Sequence, residues 1–174
     1  MEPTEHERFE AVVLPHLDAA YNLARYLLRN DHDAQDVVQD AALRALKYFG
    51  GFRGAEGGEA RAWLLAIVRN TAYTWRRRSP DALATEFDES QHSDAIADDN
   101  PEAAAVTASQ RESLRHAIDE LPPEFREVIV LRELEGLSYK EISDVAAVPV
   151  GTVMSRLSRA RRRLEEALCA REEC

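Results

Sequence analysis

Five arginines fall within eight residues: Arg156, Arg159, Arg161, Arg162 and Arg163. Three hydroxyl side chains, Thr152, Ser155 and Ser158, precede them or are interleaved with them. A guanidinium can bond bidentately to guanine in a major groove, hydroxyls reach bases or phosphates, and clustered cations neutralise a phosphate backbone. Residues of these types at this density point to DNA. A second stretch, WLLAIVRNTAYTWRRR at 63–78, mixes cations with an aromatic ring. At about 100° per residue, Arg69, Tyr73, Arg76 and Arg77 share one helical face, flanked by Asn70. Cations that hold a backbone and a ring that stacks on an unpaired base suit single-stranded nucleic acid. A solvated charged face with one stray tyrosine is the plainer reading of the same pattern.

Nothing in the chain supplies a competing chemistry. His6, His16, His32, His92 and His116 have no metal-ligand spacing, and no Ser/His/Asp or paired-carboxylate motif stands apart from ordinary surface charge. The glycine-rich GGFRGAEGG at 50–58 lacks the Gly-Lys-Ser/Thr ending of a phosphate loop and reads as a flexible loop. Cys169 and Cys174 both lie in the last six residues, where they cannot staple a core, and read as free thiols on a tail. No catalytic residue, metal or cofactor is expected.

The elements that must position these residues are helices. Apolar positions recur at helical spacing almost throughout, and no alternating run is long enough for a strand. The spacing predicts helices over about 5–14, on to about 29 after Pro15, 34–49 with caps from NDHD, and 59–78. Further helices follow over about 102–120 and from the prolines of LPP at 121–123 to about Glu135, with Gly136 as C-cap. Ser138 and Glu141 fit a capping box, with Leu137 and Ile142 at the positions of a hydrophobic staple, so a short helix starts there. It ends near Ala147, because Pro149 cannot continue it, and a second helix begins around Gly151 or Thr152. On that second helix Val153, Leu157, Ala160, Leu164 and Leu168 form an apolar stripe, with Thr152, Ser155, Arg156, Arg159 and Arg162 on the other side. A short helix, a tight turn and a second helix with an arginine-rich outer face make a helix-turn-helix.

The net charge of -10 hides an uneven distribution. Residues 1–78 carry 11 Lys/Arg and 11 Asp/Glu, residues 79–120 carry 2 and 11, and residues 121–174 carry 9 and 10. The acidity belongs to the middle, whose SPDALATEFDESQHSDAIADDNPEAAA has few large apolar residues and reads as a solvated linker; as a polyanion it could also imitate nucleic acid in a basic channel. The expected organisation is all-α: a helical domain over 1–79, an acidic linker over 80–105, and a helix-turn-helix domain over 106–174. No apolar run approaches the roughly 18–20 residues of a membrane span, and the N-terminus lacks the pattern of a secretory signal. A cytoplasmic protein without membrane insertion is expected.

In DAQDVVQDAALRALKYF at 33–49, the periodicity buries Ala34, Val37, Val38, Ala41, Ala45, Tyr48 and Phe49. Asp36, Gln39, Asp40, Leu43 and Lys47 lie opposite. Leu43 is either an ordinary exposed leucine or an apolar anchor inside a polar rim.

This stretch, followed by a glycine-containing loop, RAWLLAIVRNTAYTWRRR, an acidic linker and LPPEFREVIVLRELEGLSYKEISDVAAVPVGTVMSRLSRARRRL, resembles the bacterial RNA polymerase sigma factors of the extracytoplasmic-function (ECF) type. The resemblance covers most of the chain. It implies a sigma factor that binds core RNA polymerase, reads the minus-35 and minus-10 elements of promoter DNA and promotes melting between them. Residues 33–49 would dock on the polymerase, with Asp36, Gln39, Asp40, Leu43 and Arg44 at the contact. Phe52, Arg53, Arg69, Asn70, Tyr73, Arg76 and Arg77 would capture the minus-10 element and stabilise open DNA. Thr152, Ser155, Arg156, Ser158, Arg159 and Arg162 would read the minus-35 element. An anti-sigma protein is an implied partner. Two positions depart from the family pattern: Ala147 stands where many such turns have glycine, and Met154 where a basic residue is frequent. A stand-alone helix-turn-helix regulator is the alternative, but it leaves 33–49 and the basic face of 63–78 without a job.

Overall fold

A computed structural model describes residues 1–54, 58–78 and 101–172. All regular structure among them is helical: α1 (Glu5–Val13), α2 (Leu17–Leu28), α3 (Asp31–Tyr48), α4 (Gly58–Arg78), α5 (Pro101–Asp119), α6 (Pro123–Ile129), α7 (Tyr139–Ala146) and α8 (Val150–Glu172), with short 3-10 turns at Leu14–His16 and Phe49–Gly51. Most of the acidic stretch expected as a linker, together with His92 and Cys174, lies outside the described residues. Cys169 is an exposed free thiol.

The first half is a bundle in which α2, α3 and α4 pack on one another. Its helices begin where short polar side chains offer an oxygen to the first turn. Thr4 and Glu7 close a reciprocal capping box on α1, and Asn30 accepts from the Asp33 amide at 3.0 Å to start α3. Ala34, Val37, Ala41 and Ala45 of α3 are buried, as the periodicity requires, but Tyr48 is 59% exposed. The helix gives way at Phe49 to a 3-10 turn whose phenyl ring takes the inward place instead. Phe52 stacks on Phe49 at 6.0 Å and meets Trp63 at 4.7 Å, with Phe9 edge-on to Phe49 at 5.4 Å. Any side chain at Gly54 would come within 2.8 Å of the Phe52 ring, so this glycine keeps room for the cluster.

In the second half α8 packs on α5, α6 and α7. After α6 the chain widens for Val130–Leu134 into a π-turn, closed by the Glu135 amide donating to the Val130 carbonyl at 3.0 Å. Gly136, at φ +69°, then lets the Leu137 amide reach back to the Leu131 carbonyl at 3.0 Å. The spacing alone predicts an ordinary helix to about Glu135, without this widening. The two halves share one continuous buried cluster, with α7 against α4 and α6 against α2.

Candidate nucleic-acid interface

The helix-turn-helix is built from α7 and α8. Ser138 Oγ accepts from the Glu141 amide at 3.1 Å, one half of the expected capping box. The carboxylate of Glu141 lies 3.6 Å from Arg61 of α4. Leu137 and Ile142, the staple pair, are fully buried. Ala147 ends α7 in the left-handed region at φ 55° and ψ 44°, the conformation glycine adopts without cost. Ser143 holds this turn by donating its hydroxyl to the Val148 carbonyl at 2.6 Å. Here α8 starts at Val150, slightly earlier than the spacing suggests, with the Thr152 and Val153 amides donating to the Pro149 carbonyl. Val153, Leu157 and Ala160 are buried and Leu164 packs partly against the same core.

The five arginines of α8 divide into two kinds. Arg161 pairs with Glu133 at 2.6 Å and Arg163 sits 4.9 Å over the Phe125 ring, so both brace the domain. Arg159 and Arg162 are exposed beside Ser155 and Ser158, while Thr152 and Arg156 are half-buried on the same side. Arg162 approaches Glu166 only at 4.0 Å, an exposed pair that binds it weakly. Met154 is 53% exposed on this outer surface.

The second basic face, on α4, is covered. Ala60, Leu64, Leu65, Val68, Thr71 and Ala72 are its buried residues. Arg69, Tyr73 and Arg76 are only half-exposed, whereas Asn70 and Arg77 are open to solvent. The Arg69 guanidinium lies 4.5 Å from the centre of the Tyr73 ring and Arg76 5.9 Å from it. Across from them stands Glu127 of α6, with no exposed surface. Arg69 Nε donates to its Oε1, and the Tyr73 hydroxyl donates to its Oε2 at 3.0 Å. Burial, the neighbouring Glu127 charge and this hydrogen bond push the Tyr73 phenol up to about 12. Burial also raises Glu127, against the lowering by Arg69, Tyr73 and the Arg156 charge of α8.

Further contacts fasten the halves. Arg61 donates to the Glu135 carbonyl at 2.9 Å, and Asn22 donates to Glu135 Oε1 at 3.2 Å. Arg126, buried, donates to the Tyr26 carbonyl of α2 at 2.7 Å and to the Leu121 carbonyl at 2.8 Å, satisfying carbonyls near a helix end. Burial lowers its guanidinium to about 10.

On α3, Asp36, Gln39 and Leu43 are exposed, Leu43 at 63%. Asp40 and Arg44 pair at 3.3 Å. Leu46 and Tyr48, which the sequence reading did not place on this surface, extend the apolar patch. Phe52 is half-buried in its aromatic cluster and Arg53 beside it is exposed.

The sigma-70 region 2 family matches residues 12–80, and the family of sigma-70, region 4 matches residues 111–164. The RNA polymerase sigma-H factor of Pseudomonas aeruginosa is 36% identical over 169 residues, covering 92% of this chain and 86% of the relative. The chain belongs to the ECF sigma factors. It directs RNA polymerase to promoters. The ECF RNA polymerase sigma-E factor of Haemophilus influenzae is 36% identical over 153 residues, covering 84% of this sigma factor and 79% of that one. Among solved structures, the sigma factor RpoE of Bartonella quintana, in complex with the anti-sigma factor NepR, has a TM-score of 0.74 at 26% identity. The likeness covers 92% of this sigma factor and 96% of that chain, so it embraces both halves.

Residues missed by sequence reasoning are those between the halves: Asn22, Arg61, Arg126, Glu127 and Glu135. A signal for Glu127 existed. It is a carboxylate embedded in the apolar run FREVIVL, on the same helical face as Val130 and Leu131. A buried charge needs a partner.

Proposed function

We propose that residues 1–79 dock on core polymerase and read the minus-10 element, that residues 106–174 read the minus-35 element, and that residues 80–105 tether the two. The observation that carries this reading is the division of arginines on α8: the two that brace the domain leave Arg156, Arg159 and Arg162 on the outward side with Thr152, Ser155 and Ser158. A helix presenting that set, with an open N-terminal end, fits a major groove. The face of α4 supplies Arg69, Asn70, Tyr73, Arg76 and Arg77 to single-stranded minus-10 DNA, with Phe52 and Arg53 at its edge. The surface of α3 with Asp36, Gln39, Asp40, Leu43 and Arg44 docks on polymerase, Leu43 acting as apolar anchor.

The factor performs no chemistry of its own and works in the cytoplasm; no helix among the described residues is long and apolar enough to cross a membrane. An anti-sigma protein holds it inactive. The RpoE chain that resembles it over both halves is bound to one, which supports the view that such a partner recognises the closed form. Transcription from a genomic promoter library with purified core polymerase tests the reading. The expected result is selection of a shared two-element promoter that neither core nor this protein selects alone. Nanomolar binding of a specific duplex by the protein alone, with core adding nothing, would return it to the stand-alone regulators.

A further inference from the structure

Thr152, Ser155, Arg156, Ser158, Arg159 and Arg162 each bring a hydrogen-bond donor to the outward side of α8, and Met154 among them brings none. Met154 is 53% exposed, and Val150, one turn before it, is 36% exposed. Between the two, Gly151 carries no side chain, and a Cβ there would meet nothing within 4 Å. Packing within the chain thus gives no reason for a glycine, and its bareness leaves Met154 uncovered. Side chains on a helix lean toward its N-terminus, so the surface that Met154 commands lies over Val150 and Gly151, at the end of α8 that enters the groove. A single exposed apolar residue needs no explanation on an ordinary surface. This one stands inside the set of residues that DNA would cover, where it faces base edges.

The base edges of a major groove offer donors, acceptors and one apolar group, the C5-methyl of thymine. A thioether has no donor and is a weak acceptor, so against a polar edge it strips water without replacing the lost hydrogen bonds. Against a thymine methyl both apolar surfaces leave water together, and the three rotatable bonds of methionine let it follow the methyl. We propose that Met154, backed by Val150, is a specificity-determining residue that reads a thymine methyl, so that this factor prefers thymine at one position of the minus-35 element. The proposal rests on the minus-35 reading of α8. The basic residue frequent at this position in the family would attract the phosphates of any sequence. Methionine exchanges that uniform attraction for selectivity at one base pair.

The test uses the full chain bound to core polymerase, on a duplex promoter taken from the genomic library selection. Each thymine of the minus-35 element, on either strand, is replaced in turn by deoxyuridine, which pairs with adenine in the same way but lacks the methyl group. Dissociation constants are measured for the wild type, for Met154→Ala, and for Val106→Ala, a control at a 58% exposed apolar residue of α5. Expected is one thymine whose methyl, when removed, weakens binding by the wild type and by Val106→Ala about fourfold, the worth of one buried methyl, and by Met154→Ala less than about 1.5-fold. At that position 5-methylcytosine should bind better than cytosine, again only where Met154 is present. The absence of any methyl-sensitive thymine, or an equal sensitivity in Met154→Ala, overturns the proposal while the minus-35 reading stands. Loss of the sensitivity in Val106→Ala as well also overturns it, because the effect would not belong to Met154. If scrambling the whole minus-35 element leaves binding by the wild type unchanged, the minus-35 reading falls and the proposal with it.

Discussion

Two basic surfaces on this chain meet their environment in opposite ways. On α8 Arg159, Arg161 and Arg162 face water or exposed carboxylates, and on α4 the half-buried arginine and tyrosine are held by a carboxylate with no exposed surface. The same residue types thus have different strengths of attachment, because desolvation sets the value of an ion pair. The open surface has no such buried partner. On the proposed reading, the covered one must be uncovered before DNA can reach it.

The largest effect should come from the two glutamates that define this contrast. Glu127→Ala removes one partner of a buried pair and should reduce the unfolding free energy of the full chain by about 3 kcal/mol or more. Glu133→Ala, at the exposed pair, should cost under about 0.5 kcal/mol. Denaturant titration measures both, and equal costs would erase the distinction between the surfaces.

The Tyr73 phenol reports the same contrast through pH. Its acid form is favoured by closure, so its contribution is fully present below about pH 10, the ordinary tyrosine value, and is lost as pH rises through about 12. In the Glu127→Ala chain this resonance should titrate below about 12, because the carboxylate's charge and hydrogen bond are gone, followed by NMR of labelled tyrosine.

On the open surface, Arg156→Ala or Arg159→Ala should cost about 1–3 kcal/mol of promoter binding by the polymerase-bound factor, depending on the minus-35 sequence. Arg161→Ala, whose guanidinium is tied to Glu133, should show no such dependence. A loss equal on all promoters would make Arg156 or Arg159 a phosphate contact. The smallest effect concerns the turn that aims α8. Ala147 holds a positive φ, so Ala147→Gly should stabilise the chain by about 1 kcal/mol, visible as a rise in Tm.

Much of the helical framework was legible because each helix carries its own signals. Ser138 caps α7, Pro149 ends the turn, and Val153, Leu157 and Ala160 fall on one stripe within a single helix. Tyr48 was misplaced because α3 ends there and Phe49, its neighbour on the expected buried face, alone fills the inward place. The π-turn at Val130–Leu134 escaped for the same kind of reason, since an extra residue in one turn leaves composition untouched. On α4, Arg69 and Tyr73 were found by their spacing, but their covering was not. Glu127 lies 58 residues beyond Arg69, and no local pattern fixes which carboxylate will meet which arginine across that distance. The candidate residues could be read one helix at a time; their covering by Glu127 could not.

The distance between Gln35 on α3 and Lys140 on α7 tests the account most directly, with labels at both positions and the native cysteines replaced by serine. The account predicts one short distance in the free chain and a separation larger by tens of ångströms in the complex with core polymerase and promoter DNA. The same short distance in both states would contradict it.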